Sequence, residues 1–223
     1  LAPVDGAAWA ERLATGRAAF EAGLTPQAGP GDVQMGEIVR WLDGYLPEDA
    51  FICNGAGNYA TWVHRYFRYK GYRTQLAPTS GSMGYGVPAA VAAKIACPER
   101  MSVAFSGDGC FMMHGQELAT AMQYGAPTIN VVVDNGMFGT IRMHQEKHYP
   151  GRTHATELRN PDFAALGRAY GGFGATVERT DQFADAFREA EASGLPAILH
   201  VKIDPEAITP TASISDLRAQ HAG

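Results

Sequence analysis

A single carboxylate lies between two glycines directly behind a short apolar run. The stretch FSGDGCF, residues 105–111, carries Asp108 between Gly107 and Gly109, and the apolar run MSVAF leads into it. A short apolar run that ends at glycine is consistent with a buried strand, and glycine lets the backbone approach a ligand closely. Asp108 is therefore predicted to lie where a buried strand ends, beside a bound group.

A side-chain amide follows the next apolar run in the same way. The run TINVVVDN, residues 128–135, ends in Asn135, and the helical stretch HGQELATAMQYG separates it from Asp108. Neighbouring parallel strands would bring both side chains to one edge of a sheet. A carboxylate, an amide oxygen and a nearby backbone carbonyl suit Mg²⁺, whose remaining positions go to water and substrate phosphate. The pattern favours a site for a metal-bridged diphosphate over two unrelated turns.

A third motif is the glycine turn NGAGNYA, residues 54–60, which follows the run AFICN. Its G-x-G-x-x-A pattern is that of a dinucleotide-binding turn. That function requires an acidic residue about 20 positions further on to hold the ribose. No Asp or Glu occurs between Asp49 and Glu99. The turn still opens a helix whose free N–H groups suit a phosphate. A plain connection from strand to helix is the alternative.

Apolar runs and helical patterns alternate along the chain and must position these motifs. Strands are predicted at 50–54, 101–106, 128–135, 174–178 and 196–203. Helices are predicted at 7–23, 35–46, 59–69, 85–96, 114–125, 161–171 and 181–194. This alternation predicts an α/β fold with an open, mostly parallel, doubly wound sheet that carries helices on both faces. Ligands then bind at the carboxyl ends of the strands.

Composition argues against several classes of protein. The net charge of −5 argues against a general nucleic-acid-binding protein. In an acidic chain, the basic and aromatic segment 62–73 is more typical of a solvated helix face or a subunit contact than of a nucleic-acid stripe. The three cysteines show no C-x-x-C spacing, and no signal peptide is evident. No apolar run approaches the roughly 20 residues of a membrane span. These features predict a cytoplasmic protein.

The motif GDG, followed after a helix and a strand by Asn, resembles the thiamine-diphosphate-binding motif. The resemblance extends over residues 35–205 and is closest to acetolactate synthase-type large subunits in three stretches: SGSMGYGVPAAVAAKIACPER, GDGCFMMHGQELATA and DNGMFGTIRMHQE. The chain is similar to the C-terminal, diphosphate-binding domain of the acetolactate synthase and pyruvate decarboxylase superfamily. This implies an enzyme that decarboxylates a 2-keto acid and transfers the resulting acyl carbanion. The alternatives are a simple 2-keto acid decarboxylase, another carboligase or a non-catalytic cofactor-binding domain.

The resemblance also implies the ligands and their residues. Mg²⁺ would be bound by the side chains of Asp108 and Asn135 and by the carbonyl of Met137. The apolar side chain of Met83 would wedge under the thiazolium ring, and the Gly81 carbonyl would accept a hydrogen bond from the aminopyrimidine. The full set of residues implied for thiamine diphosphate is Gly57, Asn58, Tyr59, Gly81, Met83, Gly107, Asp108, Gly109, Cys110, Asn135, Met137, Phe138 and Gly139.

Two positions depart from the family's pattern. Cys110 stands where the family usually has Ser after GDG, which keeps the backbone amide and removes a hydroxyl contact to phosphate. His144 stands where acetolactate synthases carry Trp, at a position that borders the acceptor substrate. His144 is therefore predicted to line the substrate pocket and to favour a polar or anionic acceptor, or none, over 2-ketobutyrate. A His144 that faces solvent without a role is the alternative.

Family members also contain domains for which 223 residues leave no room. These are a pyrimidine-binding domain, which supplies the glutamate that activates the cofactor, and a central domain, which binds FAD in some members. We therefore expect an interdomain linker and helix at 1–32, the binding domain at 33–205, and a tail at 206–223 that is either disordered or a flap. The chain is expected to be the C-terminal third of a longer enzyme, with no catalytic residue of its own and no activity alone.

The same resemblance implies the partners. FAD would enter only through a missing domain. The substrate would be a small 2-keto acid, and the assembly a homodimer or homotetramer in which the pyrimidine-binding domain of another subunit meets this domain. Neither nucleic acid nor membrane is expected as a partner.

Overall fold

Six parallel strands form the central sheet of the computed structural model, which describes residues 6–220 apart from the side chain of Ala8. The strands are β1 (Phe51–Asn54), β2 (Gln75–Leu76), β3 (Ser102–Gly107), β4 (Ile129–Asp134), β5 (Phe173–Val177) and β6 (Ala197–Lys202). Their order is β2-β1-β3-β4-β6-β5, and each neighbouring pair is parallel. A separate antiparallel hairpin joins β7 (Ala207–Thr209) and β8 (Ala212–Ser213).

Helices connect these strands. They are α1 (Ala7–Gly23), α2 (Met35–Tyr45), α3 (Tyr59–Tyr66), α4 (Gly86–Ala96), α5 (Asp108–His114), α6 (Glu117–Gln123), α7 (Gly139–His148), α8 (Phe163–Ala169), α9 (Phe183–Ser193) and α10 (Ile214–Ala219), with a 3₁₀ turn at Thr180–Gln182 before α9.

Both faces of the sheet are covered because successive side chains of a strand point to opposite sides. On β3, Val103 and Phe105 are buried in the large apolar cluster that includes side chains of α2, α3 and α9. Ala104, between them, packs on the other face against α4. Apolar residues therefore occupy the consecutive positions 103–105, and the flanking Ser102 and Ser106 are buried too, as expected for a parallel sheet covered on both sides. The predicted open, doubly wound α/β sheet is confirmed.

The strand order places a crevice between β1 and β3. From β1 the chain proceeds to β2 on one side of the pair, whereas from β3 it proceeds to β4 on the other side. Connections that leave in opposite directions create a gap beyond the carboxyl ends of the two strands, where open α/β sheets bind ligands. The glycine turn after β1 and the GDG motif after β3 both lie at this gap.

Two predicted helices differ in extent from those of the structure. The predicted helix 114–125 is divided into α5 and α6, and α5 already begins at Asp108, at the very end of β3. Gly115 lies at the break between them. The predicted helix 59–69 ends at Tyr66 because the following residues are extended and the Arg68 N–H donates 2.9 Å to the buried carboxylate of Asp43. The two-residue strand β2 was not predicted.

Regular secondary structure extends to both ends of the described chain. Helix α1 coincides with the predicted helix 7–23 and leaves Trp9, Leu13 and Phe20 exposed. In the predicted tail, β7, β8 and α10 are ordered, while 1–5 and 221–223 lie outside the described residues. The domain boundaries at 32/33 and 205/206 remain predictions. Within residues 6–220, no helix combines the length and the apolar character that a membrane crossing needs.

Candidate functional site

A cavity of about 250 Å³ opens at the carboxyl ends of β1, β3 and β4. Five segments that are distant in sequence meet in its wall: the turn before α3, the loop before α4, the start of α5, the loop that leads into α7 and the C-terminal segment after β6. Every residue implied for the cofactor lies in this wall: Gly57, Asn58, Tyr59, Gly81, Met83, Gly107, Asp108, Gly109, Cys110, Asn135, Met137, Phe138 and Gly139. The structure therefore brings the whole predicted set together at one site.

Three helices begin at this cavity. The first residues of α3, α5 and α7 are Tyr59, Asp108 and Gly139, and no N-cap side chain accepts a hydrogen bond from their first turns. The first N–H groups of a helix lack partners inside the helix and carry partial positive charge. Backbone donors from α3 and α7 thus converge on the same space from two sides, which suits an extended anion such as a diphosphate.

The starts of α3 and α7 are also joined to each other. The Thr140 hydroxyl accepts a hydrogen bond from the Asn58 N–H at 3.1 Å and donates to Asn58 Oδ1 at 2.9 Å. These two bonds connect the glycine turn to the first turn of α7. The backbone N–H and the side-chain oxygen of Asn58 thus both bond to Thr140, a contact that the sequence did not indicate.

Asp108 is a buried carboxylate on the floor of the cavity. Only 3% of its surface is exposed. Its Oδ1 accepts from the Gly109 N–H at 2.8 Å and its Oδ2 from Asn160 Nδ2 at 2.8 Å. Burial raises the pKa of Asp108 to about 6, although the hydrogen bonds from these two donors lower it in part. No Lys or Arg among the described residues forms an ion pair with it, so a bound cation would compensate its charge.

A second, partly buried carboxylate lies next to it and was missed from the sequence. Asp134, the last residue of β4, accepts hydrogen bonds from Asn160 Nδ2 and His200 Nε2 at 2.8 Å each, and from the Gly136 N–H at 2.9 Å. Burial alone would raise the pKa of Asp134, but the bonds led by the one from His200 hold it at about 2. The only local signal was a histidine inside the apolar run AILHVK.

The loop after β4 is held in an extended form that leaves one carbonyl free. Gly136 O accepts from the Leu158 N–H and the Phe138 N–H donates to Thr156 O, each at 2.8 Å. These bonds flank Met137, which faces Glu157 in an isolated antiparallel bridge. Within residues 6–220, the Met137 carbonyl accepts no backbone hydrogen bond of this loop. It is therefore available to a metal.

The donor set at this edge fits Mg²⁺. Asn135 Oδ1 makes one long contact, 3.3 Å to the Met137 N–H, and keeps a lone pair. A carboxylate, an amide oxygen and a carbonyl are hard ligands, and three protein oxygens leave positions for water and phosphate. Across the described part of the chain, no three His, Cys, Asp or Glu side chains gather to hold a metal. The predicted set contains a single such side chain, so its metal site depends on amide and backbone oxygens.

Cys110 lies in the cavity wall, but its thiol points into the protein. Cys110 Sγ accepts from the Gly84 N–H at 3.1 Å and lies 3.3 Å from the Tyr59 hydroxyl. The thiol therefore ties the loop before α4 to the start of α5 and to α3. In this fold, the Cys110 sulfur therefore makes contacts within the protein, and the predicted loss of a hydroxyl contact to phosphate remains a prediction.

The space around that sulfur is tightly packed, so the effects on stability of substitutions at Gly55 and Cys110 should be coupled. A Cβ added at Gly55 would come 2.5 Å from Cys110 Sγ. We expect Gly55→Ala to lower the free energy of unfolding by about 1–3 kcal/mol through overpacking. Cys110→Ala removes the obstructing atom, so the double variant should lose less stability than the sum of the two single losses.

Denaturant unfolding of the parent, the two single variants and the double variant measures this coupling. Gly44→Ala is the control, because an added Cβ there meets nothing within 4 Å. That change should be neutral or slightly stabilising. Losses that add without coupling would show that Cys110 does not fill this place.

The loop before α4 brings Met83 to the mouth of the cavity. Met83 is 37% exposed, and Tyr85, Met112 and Met113 nearby in this region of the fold are also exposed. Gly81 adopts a φ of +70°, a conformation that glycine takes without strain. Large apolar side chains that remain open to solvent beside a cavity indicate a surface suited to further contacts.

His144 does not lie in the cavity wall. It is exposed on α7, and its ring stacks on that of His148, with 6.3 Å between the ring centroids. Ile141, one turn earlier on the same helix, does line the cavity. The role predicted for His144 in the substrate pocket remains a prediction.

The C-terminal segment closes one side of the cavity. Ile203, Ala207 and Ile208 belong to the wall. Ile208 also packs with Met137 and with Ile214 and Leu217 of α10 in a small apolar cluster. This segment contacts the same loop that carries the Met137 carbonyl, and it is therefore part of the site.

A buried glutamate fastens that segment to α7. Glu146 is fully buried and accepts from Arg142 Nε at 2.9 Å, from Arg218 Nε and Nη2 at 2.8 and 2.6 Å, and from the Gly151 N–H at 2.8 Å. The hydrogen bonds from Arg218 are the main reason that the pKa of Glu146 falls to about 2. Glu146 thus joins α7, α10 and the loop between α7 and α8.

Known proteins are similar to this chain in sequence. The acetolactate synthase large subunit of Corynebacterium glutamicum is 32% identical over 207 residues, which cover 89% of this chain and 33% of that protein. The acetolactate synthase isozyme 2 large subunit of Escherichia coli K12 is 34% identical over 178 residues, 78% of this chain and 32% of that protein. The chain spans about a third of the length of these curated relatives.

A solved structure shows the same fold. The thiamine diphosphate-dependent 4-hydroxybenzoylformate decarboxylase of Rhodococcus jostii RHA1 superposes with a TM-score of 0.75 at 25% identity, over 81% of this chain and 34% of that one. The sequence profile of the family described as "Thiamine pyrophosphate enzyme, C-terminal TPP binding domain" matches residues 55–201, which include the turn after β1, the GDG motif and the loop after β4. The chain therefore belongs to the family of C-terminal thiamine pyrophosphate-binding domains of thiamine pyrophosphate enzymes.

Proposed function

We propose that this chain binds thiamine diphosphate through Mg²⁺ and that it serves an acetolactate synthase-like enzyme, which decarboxylates a 2-keto acid and transfers the acyl group. The observation that carries the proposal is the meeting of all predicted cofactor residues in the wall of one cavity. The relatives named above, acetolactate synthases among them, support the reaction class. When bound, the cofactor supplies an electron-accepting ring that stabilises the negative charge left on the substrate after loss of CO₂.

The residues of the chain have distinct roles in this proposal. Asp108, Asn135 and the Met137 carbonyl hold Mg²⁺, which neutralises the charge of the diphosphate. The backbone donors at the starts of α3 and α7 bind the diphosphate oxygens from opposite sides. Met83 supports the thiazolium ring, and the Gly81 carbonyl orients the aminopyrimidine.

A second domain is needed at the open side of the cavity. Met83, Tyr85, Met112 and Met113 are exposed around it, which suits the pyrimidine-binding domain of another subunit in a homodimer or homotetramer. That domain would supply the activating glutamate. We place the assembled enzyme in the cytoplasm, and FAD would bind only through a further domain.

A 2-keto acid decarboxylase without acyl transfer is the second candidate. The likeness to 4-hydroxybenzoylformate decarboxylase favours it, since that protein's name describes decarboxylation. Product analysis of the assembled enzyme separates the two functions. Acetolactate from pyruvate indicates transfer, and acetaldehyde alone indicates simple decarboxylation.

Calorimetric titration of the 223-residue chain with thiamine diphosphate tests the proposal directly. We expect binding in the presence of Mg²⁺ and none after its removal by chelation, since the diphosphate and Asp108 repel one another without a bridging cation. Thiamine without phosphates is the control ligand and should not bind detectably. Equal affinity with and without Mg²⁺ would contradict the proposed metal bridge.

The chain alone should not turn over pyruvate. The proposal assigns the proton-transfer glutamate to another domain, and general acid–base steps of this kind require a positioned side chain. A coupled assay for CO₂ release on the purified chain measures this. Sustained decarboxylation above that of the Asp108→Ala variant would show that the chain contains its own catalytic group.

A further inference from the structure

We propose that Asn160 is a positioning residue for the metal site and that its side-chain amide sets the orientation of Asp108. The inference rests on the proposed function, because it names a support for the same Mg²⁺ and diphosphate site. Asn160 lies in the segment between α7 and α8, outside every motif noted in the sequence. It touches the metal ligand without contacting the cofactor space itself, since it is absent from the cavity wall.

The contacts of Asn160 are unusual because one amide nitrogen joins the buried carboxylate of Asp108 and the partly buried carboxylate of Asp134. Asn160 Nδ2 donates to Asp108 Oδ2 and to Asp134 Oδ1, both at 2.8 Å. The NH₂ group has two hydrogens, so each carboxylate receives one. Both carboxylates are otherwise forced close together at the ends of neighbouring strands, where like charges repel.

Asp134 acts as the fixed end of this arrangement. It receives hydrogen bonds from the Gly136 N–H of its own loop and from His200 on the adjacent strand β6, in addition to Asn160. Donors from three directions leave it one orientation. The hydrogen bond to Asp134, at the end of β4, therefore fixes the Asn160 side chain, and Asn160 in turn fixes the orientation of the Asp108 carboxylate.

The neighbouring residues do not require Asn160 for the local fold. The N-cap of α8 is Asp162, whose Oδ1 accepts from the Ala165 N–H at 3.0 Å. The segment is already anchored to the loop after β4 by the Leu158 N–H bond to Gly136 O. The Asn160 side chain therefore does not cap α8, and it donates its two hydrogen bonds to the carboxylates of Asp108 and Asp134.

The consequence concerns the lone pairs of Asp108. Gly109 N–H donates to one oxygen and Asn160 to the other, so each oxygen of this cavity-lining carboxylate keeps lone pairs for a cation. Without the amide, the carboxylate could rotate away from Asp134 and lose the orientation that a metal needs. Partners of metal ligands typically contribute about 10–100-fold to metal affinity.

Mn²⁺ binding followed by electron paramagnetic resonance tests this role. The probe is Mn²⁺ with saturating thiamine diphosphate, added to the 223-residue chain and to Asn160→Ala. We expect about tenfold weaker Mn²⁺ binding in the variant, together with a changed line shape of the bound ion, because its ligand geometry is altered. Asn160→Ser, which keeps one donor, should fall between the two.

The matched control is Asn130→Ala. Asn130 lies on β4, where its amide donates to Thr128 Oγ1 and Ala197 O, away from the cavity. The Asn130→Ala substitution should lower the melting temperature of the metal-free chain and leave the Mn²⁺ line shape unchanged. Parent-like affinity in both Asn160 variants would overturn the proposal.

A second outcome would also overturn it. Asn130→Ala shows how much Mn²⁺ affinity is lost for a given drop in melting temperature. If Asn160→Ala loses no more affinity than its own drop in melting temperature accounts for on that scale, and its line shape is unchanged, Asn160 has only a structural role. Failure of the parent to bind Mn²⁺ with the cofactor is distinguishable from both, because it would contradict the proposed function itself.

Discussion

Replacing Asp108 with alanine should abolish Mg²⁺-dependent thiamine diphosphate binding and leave the fold intact. Asp108 is the one carboxylate of the proposed metal set, so its removal takes away the charge that holds the cation. The negative charges of the diphosphate and of the partly buried Asp134 nearby would then remain without a compensating cation. Titration calorimetry with Mg²⁺ present should show a loss of affinity of at least about a hundredfold.

The fold should survive because this carboxylate does not stabilise it at neutral pH. Burial raises the pKa of Asp108 to about 6, so the folded state disfavours the ionised form. For an acid with a raised pKa, the stability of the metal-free chain falls as pH rises from the unfolded value through about 6. At pH 8, Asp108→Asn and Asp108→Ala should therefore unfold at the same denaturant concentration as the parent, or higher.

Asp43→Asn is the matched control for this prediction. Asp43 is equally buried, but it pairs with Arg40 and Arg68 far from the cavity. That variant should lose stability and keep the affinity of the parent for the cofactor. Unchanged cofactor affinity in Asp108→Ala would show that the metal ligands are assigned to the wrong residues.

The second large effect is expected at Glu146. Glu146→Gln removes a buried charge and leaves Arg142 and Arg218 facing a neutral group. Breaking a buried ion pair costs about 3–5 kcal/mol, and we expect the lower end because Arg218 can turn to solvent. The C-terminal segment should detach locally, which would expose the wall formed by Ala207 and Ile208 and weaken cofactor binding.

Hydrogen exchange of the amides in 207–219 measures this detachment. The control is Glu178→Gln, which removes the exposed pair between Glu178 and Lys202. Exposed pairs contribute little to stability, so the control should keep slow exchange in the segment. Equally slow exchange in Glu146→Gln would show that apolar contacts alone hold the segment in place.

The effect of Glu146 should also depend on pH with a definite sign. Its pKa is lowered from an ordinary value of 4.5 to about 2, chiefly by the hydrogen bonds from Arg218. For an acid with a lowered pKa, the stabilisation is complete above the unfolded value and is lost as pH falls through the folded value. The stability difference between the parent and Glu146→Gln should be full at pH 7, shrink below 4.5 and vanish near 2.

Local patterns in the sequence were enough to predict five of the six strands of the sheet and to single out Asp108 and Asn135 as candidate site residues. Asp108 and Asn135 each follow an apolar run, and such runs form strands whose ends must lie at one edge of a parallel sheet. The glycine turn after β1 and the GDG motif are likewise local, because close backbone approach depends on the residue itself. These features needed no knowledge of which strand lies beside which.

Only the tertiary structure decided how the site is supported and closed. Asn160 is 52 residues from Asp108, and His200 is 66 residues from Asp134, so their contacts depend on the strand order and on loop packing. The same is true of the Cys110 thiol, which accepts a hydrogen bond from the distant Gly84 inside the protein, and of His144, whose exposure follows from how α7 docks. Side-chain contacts between distant segments are determined by packing and register, which no local residue pattern specifies.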